Sequence, residues 1–220
     1  MTNKNILCLI GFLCVTLIFP PAASAVVVIN EFLADPPSGI AGDANRDGVR
    51  SASDDEFVEL LGAGDAAQDL SLWSLWDRVA LRHRFPQETS LAASGRIVVF
   101  GGGSPTGVPG WVATASSGVL SLNNSGDEII LKDAFGGVVD HVIYSSEADH
   151  DQSLTRFPEG TGPFLLHRLV SSRELLFSPG TDPDGGNPQA THAIPEPATG
   201  TLLGIGFAAM GIVNRRSKPR

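Results

Sequence analysis

The sequence predicts an all-β protein, an antiparallel β-sandwich or barrel, and three observations carry that prediction. Short runs rich in Val, Ile, Leu and Phe recur between clusters of Gly, Pro, Asn and Asp. No long segment repeats apolar residues at i, i+3, i+4 and i+7, so the amphipathic-helix signal is missing. The body between the two apolar ends, Val26 to Pro197, is long enough to bury one core.

The elements follow in order. Residues 26–33 read VVVINEFL and predict the first strand, and residues 56–61 (EFVELL) the second. Residues 70–76 predict a third, with Leu70, Leu72 and Trp76 on one face and Trp73 and Leu75 on the other. The run 97–100 is short, apolar and bounded by Gly95 and by Gly101, Gly102 and Gly103. Residues 119–122, 128–131 and 138–144 complete the set, with tight turns at 123–127 and 135–137. Residues 178–192 are rich in Pro and Gly and carry no core pattern, so 181–194 read as a linker that follows a domain spanning 26–180.

Both ends read as address labels. Lys4, an apolar run from Ile6 to Phe19 and the sequence Ala23-Ser24-Ala25 have the order of a secretory signal peptide over residues 1–25, with Ala23 and Ala25 as the small residues read by signal peptidase and the cut after Ala25. Both cysteines, Cys8 and Cys14, fall inside it, so the mature body has no disulfide, no zinc-thiolate site and no thiol nucleophile. At the other end, Pro195, Glu196 and Pro197 precede an apolar span, 198–213, which predicts a transmembrane helix. A basic tail with Arg215, Arg216, Lys218 and Arg220 follows. This order over 195–220 resembles the PEP-CTERM sorting signal. The resemblance implies recognition by an exosortase-type membrane transpeptidase, cleavage near Pro195-Glu196-Pro197, an inner-membrane intermediate, and delivery to the cell surface or an extracellular matrix.

With leader and tail set aside, ten of the fifteen Lys and Arg remain against all 24 Asp and Glu, a net charge of about −14 for the body. That balance argues against nucleic-acid partners and favours solubility and cation binding.

Across the body, VVINEFLADP, DEFVELL, DLSLWSLWD, FPQETSLAASGRIVVF, LNNSGDEIILKDAFGGVVDHVIY and the late Ser178-Pro179-Gly180 occur in sequence. Their order resembles the lamin-tail domain, which implies an immunoglobulin-like β-sandwich and an interaction or structural module. One departure stands out. The family usually has Gly before the tryptophan of the third stretch, where this chain has Leu72 before Trp73.

Residues 42–60, GDANRDGVRSASDDEFVEL, are dense in acids. With Asp43 as position 1, Asn45 is 3, Asp47 is 5, Gly48 is 6, Val49 is 7, Ser51 is 9 and Asp54 is 12, the register of a twelve-residue calcium loop. The Asp at position 12 resembles one dockerin repeat. The flanking segments read as strands rather than helices, so the loop is expected as an insertion in a β-hairpin, holding calcium through Asp43, Asn45, Asp47, Val49, Ser51 and Asp54.

No nucleophile elbow and no H-E-x-x-H spacing occurs among His83, His141, His150, His167 and His192, which read as surface or strand histidines. Glu31, Glu56 and Glu59 could neighbour one another as carboxylates, but read as strand-end surface charges. Trp111, in GGGSPTGVPGW, is the best-placed exposed aromatic for ligand binding. The chain is therefore expected to be a non-catalytic, surface-sorted structural or adhesion module. The alternative is a carbohydrate- or protein-binding module, with exopolysaccharide or surface proteins as partners, and a secreted hydrolase is less favoured.

Overall fold

The computed structural model describes residues 26–186. The leader, the Pro195-Glu196-Pro197 motif, the 198–213 span and its arginines lie outside the described residues. Twelve strands are present among the described residues: β1 (Val27–Leu33), β2 (Phe57–Gly62), β3 (Gln68–Asp69), β4 (Ser74–Trp76), β5 (Leu81–Arg84), β6 (Ser90–Leu91), β7 (Arg96–Phe100), β8 (Trp111–Thr114), β9 (Asp127–Lys132), β10 (Val138–Tyr144), β11 (Leu154–Arg156) and β12 (Phe164–Leu166). Three short 3₁₀ turns, and no α-helix, accompany them in this region.

The strands form a β-sandwich. A six-stranded sheet runs β12-β11-β1-β2-β7-β8 and a four-stranded sheet runs β10-β9-β4-β5, with β3 and β6 as a separate pair. Every pairing is antiparallel except β7 with β8. Strand alternation explains the layering. Ile29, Val58, Leu60, Ile97 and Val99 of the large sheet meet Leu75, Ile129, Leu131 and Val142 of the small one in a single buried cluster. The alternate residues of the same strands, Leu33, Phe57, Val98 and Phe100, point the other way. There they form a second cluster with Ala44, Val108, Val112 and Phe177. The central strands are therefore buried on both faces, and the loops that cover the outer face of the large sheet add a third layer.

The structure departs from the sequence expectations in four places. Residues 119–122 are not a strand. Ser121 takes φ 55°, which breaks the ladder, while Leu120 and Leu122 still reach the core. The strand expected over 70–76 starts only at Ser74, because Leu72 sits in a turn at φ 64° with its side chain partly in solvent. The left-handed conformation costs a non-glycine residue roughly 1–2 kcal/mol, which explains why Gly suits this position and why Leu72 is a departure. Strands β3, β5, β6, β8, β11 and β12 lie outside the expected set. Finally, part of the expected linker belongs to the domain: Thr181 is buried, and Asp184 accepts bonds from Ser172 N at 2.6 Å and Ser172 Oγ at 3.0 Å.

A bulge in β1 falls between Ile29 and Glu31. There the Ile29 N–H donates to Asp140 Oδ2 at 2.8 Å, and the Ile29 carbonyl accepts from Arg156 Nε at 2.8 Å. A bulge leaves ladder groups without strand partners. Asp140 of β10 and Arg156 of β11 supply them, and so join the edge of the small sheet to the centre of the large one.

Candidate functional site

The acidic loop connects β1 to β2, an antiparallel pair, as an insertion in a hairpin. Its oxygens fold inward onto backbone N–H groups. Asp43 accepts from Asp47 N at 3.1 Å and Gly48 N at 2.9 Å, Asn45 Oδ1 from Asp47 N at 3.0 Å, and Asp47 from Val49 N at 2.9 Å and Ser104 N at 3.0 Å. These donors hold the Asp47 carboxyl below its usual range. Gly48 makes the turn at φ 90°. Asp55, the residue after Asp54, turns into the base of the loop. It is fully buried and accepts from Asn45 N at 3.1 Å and Ser51 N at 2.7 Å. Asp54 lies instead against Gly102, where a Cβ would come within 2.3 Å of its Oδ1. At Gly103 a Cβ would meet Asn45 Nδ2 at 2.4 Å and Asp47 Oδ2 at 2.5 Å. The glycine run after β7 is thus the floor on which the loop rests. No three His, Cys, Asp or Glu side chains converge as a metal site among the described residues.

The densest polar site lies beneath the C-terminal part of the domain. Glu31 and Glu59 stand opposite each other across the β1–β2 ladder and are 1% and 0% exposed. Reading them as surface charges is therefore corrected. The strands that carry them are covered on both faces. Glu59 pairs with Arg96 of β7 at 2.7 Å and accepts from Asn30 Nδ2 at 3.1 Å and Gly180 N at 2.8 Å. Arg96 also reaches Glu159 at 2.7 Å. Glu31 accepts from Ser153 Oγ at 2.6 Å and Ser178 N at 2.8 Å, and Ser178 Oγ lies 2.8 Å from its second oxygen. Burial pushes both carboxyls up, Glu59 to about 8 against the opposing pull of Arg96. Buried His167 spans the same segment, with Nδ1 2.9 Å from the Leu175 carbonyl and Nε2 2.9 Å from Ser178 Oγ. Chemically, this arrangement ties Ser178 and Gly180 into the core.

A third polar group closes one end of the sandwich. Glu56, 6% exposed, accepts from Leu122 N at 3.2 Å. Burial raises its pKa to about 8, against the opposing pull of the Leu122 and Ser121 N–H groups and of Arg82. Buried Asp127 and Tyr144 lie beside it, and Asp77 carries Arg82 as an ion pair.

Trp111 is not an exposed platform. It lies in β8, half-buried against the main core, 6.1 Å from the Phe85 ring and 6.4 Å from that of His83. His83 lies in a strand (β5), as expected, and is buried, while buried His167 lies in a 3₁₀ turn; burial lowers the pKa of both rings. His141 is exposed on β10, 3.1 Å from Glu128. Glu31, Glu59 and Glu56 had one signal in the sequence. Glu31 and Glu59 interrupt strands that are apolar on both faces, and Glu56 directly precedes one, where a charge must be paired.

Comparison with protein-family models gives two matches. The Lamin Tail Domain model matches residues 20–146, and the model of the PEP-CTERM protein-sorting motif matches residues 193–217. A search of curated proteins finds no match. Strands β11 and β12 and the anchored Ser178–Gly180 turn lie beyond the first match, yet β11 pairs directly with β1.

The Glu56 carboxyl makes the fold pH-dependent in a stated direction. Its folded pKa lies above that of the unfolded chain, so the folded state holds the extra proton between about pH 4.5 and 8. Stability from this proton is complete below pH 4.5 and is lost as pH rises through 8. The difference in melting temperature between Glu56→Gln and the parent should therefore move in favour of the variant as pH goes from 5 to 9. A difference that stays constant over that range would contradict the assignment.

Proposed function

The chain belongs to the lamin tail domain family and carries a PEP-CTERM sorting motif, and from that premise we propose that it is a non-catalytic structural or adhesion module of the extracellular matrix. The motif indicates export and exosortase-mediated sorting to the cell surface, with processing by that membrane enzyme. The finer reading is a leader removed by signal peptidase, an inner-membrane intermediate held by residues 198–213, and release near Pro195-Glu196-Pro197 into an exopolysaccharide matrix.

The observation that carries this reading is the anchored C-terminal segment. Ser178 and Gly180 are bound to Glu31 and Glu59 in the core, and the described fold runs to Gly186. Eight residues lie between Gly186 and Pro195, a reach of at most about 30 Å at full extension. A folded domain this close to the sorting motif suits a module that is displayed as one piece. Fractionation of cells that express the chain with and without residues 195–220 tests it. The full chain should collect in the surface and matrix fractions and the truncated one should not. Equal surface amounts of both would refute the sorting role.

Calcium is the second part of the proposal. Asp43, Asn45, Asp47 and Asp54, with the Val49 carbonyl and Ser51, would hold the ion, and its charge would offset the acids of the loop. The inward-folded Asp43, Asn45 and Asp47 oxygens and the Gly48 turn support this reading. A carboxylate that accepts two N–H bonds retains further acceptor sites. Millimolar calcium should raise the melting temperature relative to chelator, and an unchanged melt would remove calcium from the account.

A further inference from the structure

On the four-stranded sheet, Leu75, Ile129 and Leu131 face the core, so their strand neighbours face outward. Register then builds an outer surface from residues far apart in the sequence. Trp76 stands opposite Leu81 on β5 and Ile130 on β9, and Ile130 stands opposite His141 on β10. Cross-strand partners share a face. Leu81, Trp76, Ile130 and His141 therefore form one row across all four strands. The adjacent rung is cationic. Ser74 pairs with exposed Arg84 on one side and Lys132 on the other, and the Lys132 ammonium lies 4.1 Å from the Trp76 ring centroid. On the far side of the row, Arg78 is 3.3 Å from Glu128, with its side chain 55% exposed.

This face holds three of the ten Lys and Arg of the body and one acid, in a body of about −14. The field reverses locally, so the complementary partner is an anion. The aromatic and aliphatic row offers a flat apolar strip beside the cations, which matches a pyranose ring that bears a carboxylate. We propose that the outer face of the four-stranded sheet, centred on Trp76 with Lys132 and Arg84, binds an anionic polysaccharide built of uronic-acid units.

Lys132 then exchanges its contact with the Trp76 ring for a charge-assisted hydrogen bond to a sugar carboxylate, which leaves the ring face open to the sugar. Double-stranded DNA fits less well. It presents one charge per roughly 1.7 Å, which three cations cannot match and which the rest of the body repels. The inference deepens the matrix role proposed above and rests on it for its biological setting. Binding in solution does not depend on sorting, so each can fail without the other.

The test titrates the purified full chain, with chelator present, against polygalacturonate, neutral dextran and double-stranded DNA. Polygalacturonate should bind, dextran should not, and Lys132→Glu and Arg84→Glu should each weaken binding at least tenfold. The milder Lys132→Gln serves if charge reversal lowers the melting temperature. Absence of polygalacturonate binding would overturn the proposal, as would equal binding of dextran, preference for DNA, or full affinity in variants that melt like the parent.

Discussion

Glu31 and Glu59 face each other across the central ladder of the large sheet, and neither reaches water. Two carboxyls so placed repel if both are charged, and each is costly to bury alone. The chain resolves this by surrounding them with donors from distant segments. Arg96 arrives on β7, Ser153 from just before β11, and Ser178 and Gly180 from near the C-terminal end of the described fold. Removal of one partner from such a group leaves a buried charge uncompensated, at a cost of about 3–5 kcal/mol. The network thus does for the late segment what a disulfide does in other exported domains, in a body that contains no cysteine.

The outer layer follows from that constraint. With Ser178 and Gly180 fixed, Phe177 packs 6.4 Å from Phe57 and helps close the second cluster. The acidic loop covers the rest of that face through Ala44, while its acids turn to backbone donors and to the glycine floor after β7. Across the molecule, Asp140 and Arg156 satisfy the bulge in β1. Asp140 also accepts from the His141 N–H at 2.8 Å on the β10 edge, and an inward charge next to a bulge keeps an edge strand from pairing with another chain. The four-stranded sheet is left with one outer face free to present Trp76 and its cations.

Much of this was legible in the sequence, for identifiable reasons. β1, β2, β7, β9 and β10 are runs of β-branched and other apolar residues bounded by turn formers; β1, β2 and β7 are near-continuously apolar and β9 alternates with period 2. β5 (LRHR) and β11 (LTR) carry charges that hide the pattern, and β8 follows a stretch of Gly and Pro that reads as loop. Residues 119–122 have a strand's composition, but one left-handed Ser121 prevents pairing, and composition does not report φ. The acidic loop announced itself by spacing, but the turn of Asp55 onto the Asn45 and Ser51 amides depends on register against β2, which spacing does not report. The Glu31–Glu59 site was visible as two acids in strand patterns. What made them partners was the pairing of β1 with β2 and the return of a segment more than a hundred residues later, neither of which local sequence encodes.

If the buried acids bind the late segment into the cooperative core, its backbone must open only when the whole domain opens. Native-state hydrogen exchange at the amides of Ser178 and Gly180 tests this most directly, compared with the amide of Leu60 in β2. The account predicts protection at both positions approaching that of Leu60. Fast exchange at Ser178 and Gly180 while Leu60 stays protected would show that the segment is a loosely attached tail, and would contradict it.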